Sequence, residues 1–161
     1  MINLLQYDIL IDEGLGFCNE LFESKVAGKS NIIILIHLND NEIVGSYYSI
    51  EFPSNNKDYY NKYFKDDKSF LFYFNQNTNS KEIYNANVDS DQHLRIWHEN
   101  ILGSGNTSNK DGFWIESAFP NLIYSSKKCN SNPHDMANSS FFINKNAQGF
   151  SYSRIFIVQI K

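Results

Sequence analysis

The chain has 161 residues, of which 42% are hydrophobic and 16% aromatic, so it can bury a core and is not a disordered polypeptide. Its 14 Lys and Arg residues against 18 Asp and Glu residues give a net charge of −4, which disfavours a protein dedicated to binding nucleic acid. The amino-terminal segment lacks the basic start of a signal peptide, and no apolar run reaches the ~20 residues of a membrane-spanning helix. We therefore expect an intracellular, cytoplasmic protein without membrane insertion.

A strand and a helix are the first predicted elements. The strand lies within residues 1–13, where apolar side chains alternate at Leu5, Tyr7, Ile9 and Ile11. The helix is indicated at residues 16–26 by one apolar stripe, formed by Phe17, Leu21, Phe22 and Val26. Ala27-Gly28 then provides a stop signal.

Residues 31–51 predict a β-hairpin that organises the rest of the chain. An apolar run at residues 32–38 meets a polar Asn/Asp turn at 39–42 and returns at 43–50. Because the first strand is apolar at both alternating sets of positions, we expect both of its faces to be covered. Gly45 lies inside the return strand, where glycine marks a bulge or a close approach of backbone, and we expect it to be a packing glycine.

Short strands dominate the remaining sequence. Apolar runs predict strands at residues 70–74, 83–84, 94–98, 113–116, 122–124, 141–143 and 155–160. Residues 57–68 are interpreted as a surface loop or one short helix, and residues 100–112 as a glycine-rich loop. Strands without interleaved helices predict a mostly β (α+β) fold, a two-layer antiparallel β-sandwich with one or two short flanking helices, in one domain over residues 1–161.

No catalytic or metal motif is found in the sequence, so we expect no enzyme, cofactor or metal site. The side chains available for catalysis are dispersed: His37, His93, His98, His134, Asp40, Glu42, Glu51 and Glu116. Residues 85–91 alternate Asn and Asp as a calcium loop does, but they lack the glycine and the glutamate of an EF-hand and are interpreted as a solvated loop. Cys18 and Cys129 have no metal-type spacing, and one pair does not indicate a disulfide framework; whether either is redox-active stays open.

Two other binding functions remain as alternatives. A carbohydrate-binding β-sandwich could stack sugars on aromatic rings, for which the candidates are Tyr47, Tyr48, Tyr59, Tyr60, Tyr63 and Trp97. Core packing is the simpler explanation of most of these rings. A nucleic-acid-binding regulator is the less favoured alternative because of the acidic balance.

The order of these features resembles the TLDc domain family over residues 4–160. The matching motifs are Gly16-Phe17 before the helix, the strand–turn–strand with Gly45-Ser46-Tyr47, Phe70-Leu71-Phe72, the loop glycines Gly103 and Gly105, the strand Gly112-Phe113-Trp114-Ile115, and Phe142 and Asn144. A closing strand at 153–157 completes the order. It carries Arg154 and Ile155 where an acidic residue is typical of the family.

This resemblance implies a β-sandwich with flanking helices that acts as a non-enzymatic interaction module. The family is linked to protection from oxidative stress and, in several members, to binding of the vacuolar proton-pumping ATPase (V-ATPase). A protein partner is therefore expected, with proton-pump subunits suspected. The positions that the family motifs mark as structural or interacting are Gly16, Phe17, Gly45, Tyr47, Gly103, Gly105, Gly112 and Trp114.

Overall fold

Antiparallel strands make up most of the part of the chain that is described. The computed structural model describes residues 6–14, 17–38, 41–53, 62–86, 93–97, 100–104, 111–116, 122–127 and 150–161. Within these residues the elements follow in the order β1 (Tyr7–Glu13), α1 (Asn19–Val26), β2 (Ile32–Leu38), β3 (Glu42–Tyr48), β4 (Lys62–Phe64), β5 (Phe70–Asn75), β6 (Ser80–Asn85), β7 (Leu94–Trp97), β8 (Asn100–Ser104), β9 (Asp111–Glu116), β10 (Leu122–Lys127) and β11 (Phe150–Ile160).

Strand β11 connects two sheets. In the first, which we call sheet A, the strand order is β1-β11-β2-β3-β5-β6. In the second, sheet B, the order is β4-β7-β8-β9-β10, and β10 pairs with Phe150 and Ser151 at the start of β11. Every one of these pairings is antiparallel. The architecture confirms the predicted antiparallel β-sandwich of the mostly β class.

The core lies against one side of sheet A, which we call its inner face. On β2, the inner residues Ile32, Ile34, Ile36 and Leu38 are each at most 3% exposed. Helix α1 contributes the predicted apolar stripe, since Phe17 and Phe22 are buried edge to face with ring centroids 6.2 Å apart. The helix ends at Val26, as predicted, and the φ of 73° at the following Gly28 favours glycine.

The opposite side of sheet A, its outer face, is less covered than expected. The sequence predicted burial on both faces of β2, but every second side chain is only half-buried, and β5 shows the same alternation. The half-buried residues are Ile33, Leu35 and His37 on β2 and Phe70, Phe72 and Phe74 on β5. An apolar strand has two buried faces only if a layer covers each of them.

A β-bulge in β1 adds exposed apolar side chains to this outer face. The pairing register with β11 shifts between Ile9 and Ile11, so one extra residue reverses the direction in which the following side chains point. Ile11 is consequently 3% exposed, whereas Tyr7 and Ile9 are 59% and 57% exposed. The alternation of these apolar residues predicted the strand but not its bulge.

Two strands lie where the sequence predicted none. Strand β4 lies within residues 57–68, which were predicted to form a surface loop or a short helix. Strand β8 lies at the start of residues 100–112, which were predicted to form a glycine-rich loop. Both are short segments in polar surroundings that pair with neighbouring backbone: β4 with β7, and β8 with both β7 and β9. The strand propensity of so few residues is a weak signal, and pairing with neighbouring strands decides their conformation.

Gly45 is central to the outer face, between Leu35 of β2 and Phe72 of β5. A Cβ atom at this position would lie 2.2 Å from the carbonyl oxygen of Ile34 and 2.3 Å from Cζ of Phe72. The ring of Phe72 therefore occupies the space that any other side chain would need. This contact agrees with the expectation of a packing glycine, and it identifies a phenylalanine ring as the group that approaches.

We predict that Gly45→Ala destabilises the domain by about 3 kcal/mol, because a methyl group there must displace both a ring and a backbone carbonyl. Gly14→Ala is the matched control: its Cβ would meet only Ser153 O at 3.5 Å, an ordinary contact. The control should change stability by less than about 1 kcal/mol. Urea unfolding followed by circular dichroism measures both, and equal midpoints for the two variants would contradict the packing role of Gly45.

One buried carboxylate joins the two sheets through the segment between β4 and β5. Asp66, 3% exposed, accepts hydrogen bonds from the backbone N–H and the hydroxyl of Ser49, both at 2.6 Å, and from the N–H of Lys68 at 3.2 Å. Its own N–H donates to Nδ1 of the fully buried His93 at 2.8 Å. Because Ser49 follows β3 of sheet A and His93 precedes β7 of sheet B, these bonds connect the layers. Because Nδ1 of His93 accepts in this contact, that nitrogen carries no hydrogen.

We predict that Asp66→Ala lowers the free energy of unfolding by at least about 3 kcal/mol, because several buried donors lose a charged acceptor. The neighbouring Asp67→Ala is the control, since the Asp67 carboxylate is 51% exposed and its ion pair with Lys65 spans 3.4 Å at the surface. That pair should contribute less than about 1 kcal/mol. Thermal or urea unfolding that ranks Asp67→Ala as the more harmful change would refute the joining role of Asp66.

Candidate interaction surface

The outer face of sheet A consists of cross-strand rows of side chains. One row runs through Ile9, Val158, Ile33, Tyr47 and Phe70, and the next through Phe156, Leu35, Gly45, Phe72 and Ile83. Residues opposite one another in antiparallel strands share a face, so each row crosses five strands with apolar or aromatic groups and a single glycine. Among the described residues, the exposed large apolar side chains are Tyr7, Ile9 and Ile83, and all three lie on this face.

An open groove of about 410 Å³ lies at the β5–β6 end of the outer face. Phe70, Phe72, Phe74 and Ile83 supply its apolar walls, and Ile83 is 67% exposed. The ring of Phe70 stacks on Tyr47, with centroids 5.2 Å apart, and lies 6.2 Å from Phe72. These contacts hold the aromatic rings in place without covering the groove.

The position of the aromatic row depends on hydrogen bonding as well as on packing. The hydroxyl of Tyr47 donates to Oδ1 of Asn31 at 3.0 Å, which anchors the ring that stacks on Phe70. Burial, together with the nearby carboxylate of Asp66, raises the pKa of Tyr47. The phenol therefore stays protonated and remains a donor at neutral pH.

Charges lie at both ends of the third cross-strand row, which runs from Arg154 through His37, Ile43 and Phe74 to Lys81. Arg154 is paired: its guanidinium makes a two-bond contact with Asp12 at 2.6 and 2.9 Å, which raises the pKa of Arg154. At the other end, Nζ of Lys81 lies 5.8 Å from the centroid of the Phe74 ring. A positive charge thus stands at the rim of the aromatic groove.

A polar cluster lies on the inner face at the ends of β3 and β5. The hydroxyl of Tyr73 donates to Oε1 of Glu42, and the side-chain amide of Asn75 donates to the same oxygen at 3.3 Å. Glu42 and Tyr73 are both buried. Burial first, and then the hydrogen bond to Glu42, raise the pKa of Tyr73 to about 12. The cluster satisfies a buried carboxylate and caps the core at this end of the sheet.

The structure separates the positions that the family motifs marked. Phe17 is buried in the core beside α1, whereas Gly45 and Tyr47 share the outer face of sheet A. In sheet B, Gly103 of β8 is opposite Trp114 of β9, and Gly112 is opposite Ser126 of β10. Gly16, Gly105, Phe142 and Asn144 lie outside the described residues. The described positions therefore lie in three regions: the core beside α1, the outer face of sheet A and sheet B. Among them, Gly45 and Tyr47 contribute to the outer face.

The dispersed candidates for catalysis do not converge where they can be described. His37 points to the outer face and Glu42 to the inner face of sheet A, and His93 is buried in the contact with Asp66. Glu51 is exposed after β3 and Glu116 ends β9. Asp40, His98 and His134 lie outside the described residues. Within the described ranges, no group of three His, Cys, Asp or Glu side chains could hold a metal ion.

The other sequence candidates have similarly mixed positions. Tyr48 is fully buried and so cannot stack on a sugar, and Tyr47 is stacked on Phe70. Cys18 is half-buried just before α1. The rings of Tyr59 and Tyr60, the loop residues 87–91 and Cys129 lie outside the described residues. Tyr63 and Trp97 belong to β4 and β7.

Sequence reasoning missed the outer face as a surface. Its signal was present, because β2 and β5 carry apolar residues at both sets of alternate positions. For β2, this pattern predicted coverage on both sides. A sheet whose second face is apolar across several adjacent strands can equally be one that a partner covers.

Comparison with known families identifies the fold. A model of the TLDc domain family matches residues 12–153, from β1 to the first part of β11. The chain belongs to the TLDc domain family. The match includes α1 and strands of both sheets, and it confirms the family that the order of motifs indicated. No curated protein matches the chain significantly.

Among the described residues of this TLDc chain, no helix is long and apolar enough to cross a membrane; α1 has 8 residues.

The raised pKa of Tyr73 predicts a loss of stability in strong alkali. A folded-state pKa of about 12 against an ordinary value of 10.0 means that folding favours the protonated phenol. Its contribution is therefore complete below pH 10 and is lost as the pH rises toward 12. Urea midpoints should fall through this window, and Tyr73→Phe should make the fall shallower. Tyr7→Phe, at an exposed ring, is the control; a slope unchanged by Tyr73→Phe would disprove the assignment.

Proposed function

We propose that this chain is a non-enzymatic TLDc interaction module that binds a protein partner through the outer face of sheet A. The family link to protection from oxidative stress, and in several members to the V-ATPase, supports proton-pump subunits as the partner. The proposed setting is intracellular. The function would be regulation of the pump or of the stress response through binding rather than through chemistry.

The observation that carries this proposal is the apolar outer face. Monomeric proteins rarely expose contiguous apolar patches larger than a few hundred Å², and larger patches mark interaction sites. Here two neighbouring rows of apolar side chains cross sheet A. One row begins at Ile9 on β1 and the other ends at Ile83 on β6, and both of these residues are more than half exposed. Water contact at these two positions, on opposite sides of the apolar face, is a cost that a bound partner would remove.

The details of the face favour a binding role over further core packing. Large aromatic side chains are enriched at the centre of protein interfaces, because they bring apolar area and lose little entropy on binding. Phe70, Phe72 and Tyr47 form such a group and are already held by mutual contacts. A surface ordered before binding loses less freedom when the partner arrives.

We predict that the folded chain, immobilised in a lysate of the source organism, retains V-ATPase subunits identifiable by mass spectrometry, with and without peroxide. The double variant Ile9→Asp/Ile83→Asp should lose this retention, because it places charge at both ends of the apolar face. Gln76→Asp, which adds one negative charge in an exposed turn away from both ends of the face, is the control.

Two outcomes would count against the proposal. If the wild-type chain, shown to be folded by circular dichroism, retains no pump subunit, the partner is wrong. If the double variant retains the same subunits as the wild type and Gln76→Asp, the outer face is not the binding surface.

A further inference from the structure

We propose that strand β6 is a docking edge for an extended acidic segment of a partner protein, which adds to sheet A as a further strand. The inference rests on the proposed interaction function and specifies how binding occurs. The partner segment would lay an apolar side chain against Ile83 and a carboxylate against Lys81. Its backbone would pair with the free side of β6.

The first basis is the position of β6 in the sheet. Among the described strands β6 has one neighbour, β5, and it ends the strand order of sheet A. Four of its six residues are exposed: Ser80, Lys81, Ile83 and Asn85. An edge strand presents a row of N–H and C=O groups toward solvent, and an extended peptide can bind them as it would another strand.

The second basis is the groove that adjoins this edge. Ile83 and Lys81 are two residues apart, so their side chains point to the same face about 7 Å apart along the strand. Ile83 is opposite Phe72 and Lys81 is opposite Phe74 on β5, which puts both side chains along the aromatic groove. On this face, an added strand therefore lies beside one positive residue, Lys81, and one apolar residue, Ile83. It needs an acidic side chain next to the first and an apolar side chain next to the second.

The third basis is charge. Glu82, the residue between them, also borders the groove, but its carboxylate accepts a hydrogen bond from the hydroxyl of Tyr84 on the inner face. Within the described residues, Lys81 has a contact with the ring of Phe74 and no carboxylate. Arg154, at the opposite end of the same row, is already paired with Asp12. A partner carboxylate would thus find its complementary charge at Lys81, beside a low-dielectric aromatic wall that strengthens the attraction.

A second copy of the chain fits this edge poorly. The residues that β6 presents on the outer face are Lys81, Ile83 and Asn85, so a paired β6 would bring no carboxylate to Lys81 on that face. Lysine on an edge strand also discourages pairing between identical edges. The net charge of −4 adds repulsion between copies. The edge therefore selects a different chain, one in which an Asp or Glu lies two residues from an aliphatic or aromatic residue.

The test is selection of binding peptides with the full-length chain. A phage-displayed library of random linear peptides is selected on the immobilised wild-type protein, and the most enriched peptide is synthesised. The enriched sequences should carry Asp or Glu two positions from Val, Ile, Leu or Phe. Hydrogen–deuterium exchange should show new protection at residues 80–85 on binding of the synthetic peptide.

Variants locate the contact. Lys81→Glu should weaken the peptide at least about tenfold, because like charges would meet at the groove. Lys68→Glu, a charge reversal at another exposed lysine, should leave the affinity within about twofold. Two peptides are N-methylated, one at each alternating set of residues. Only every second N–H of an added strand points to β6, so one of the two peptides should lose binding if the backbone pairs as proposed.

Three results would overturn the docking edge: no enriched peptide, equal affinity for the wild type and Lys81→Glu, or full affinity of the N-methylated peptides in both alternations. None of them affects retention of V-ATPase subunits by the wild-type chain, which tests the interaction function separately. Conversely, a chain that retains no pump subunit but binds an acidic peptide at β6 would keep the docking edge and reject the partner.

Discussion

The outer face of sheet A depends on the absence of a side chain at Gly45. Because no Cβ is present, the ring of Phe72 has room beside the backbone of β3, with Phe70 and Phe74 on the same face of β5. A methyl group would lie 2.3 Å from Cζ of that ring. The residue that permits the packing of β3 against β5 is therefore also the residue that shapes the floor of the groove. In this protein, stability of the sheet and form of the candidate surface come from one contact.

The two faces of sheet A divide the tasks of the domain. The inner face joins α1 and sheet B in a core of isoleucine, tyrosine and phenylalanine side chains, and Asp66 fixes the layers at one end through buried hydrogen bonds. The outer face holds its own aromatic contacts, with Tyr47 stacked on Phe70 and Phe70 beside Phe72. A rigid scaffold with one apolar face is the architecture expected of a module that binds a partner. Family membership is consistent with such an interaction module, and the docking edge proposed at β6 would add a specific mode of recognition.

The sequence predicted the elements whose signals are local, and it failed where neighbours decide. The stripe of α1 and the hairpin of β2 and β3 follow from apolar periodicity and from asparagine in the turn, where Asn41 has a φ of 62°. Strand β8 was interpreted as a loop, because its apolar run is only Ile101-Leu102 and glycine and polar residues follow, whereas β7 and β9 supply the backbone partners that make it a strand. The bulge in β1 was equally invisible, since one extra residue changes no composition but reverses a face. The sequence of β5 shows apolar residues on both of its faces. Only the three-dimensional arrangement shows that Phe70, Phe72 and Phe74, on one face, stay partly exposed.

Hydrogen–deuterium exchange of the chain, alone and bound to any V-ATPase subunits that it retains from the lysate, shows whether the outer face of sheet A is the binding surface. We expect slowed exchange at residues 70–85, where the groove and the β6 edge lie, with little change in α1 at residues 19–26. Slowed exchange confined to α1 or to sheet B, with residues 70–85 unchanged in the complex, would contradict it.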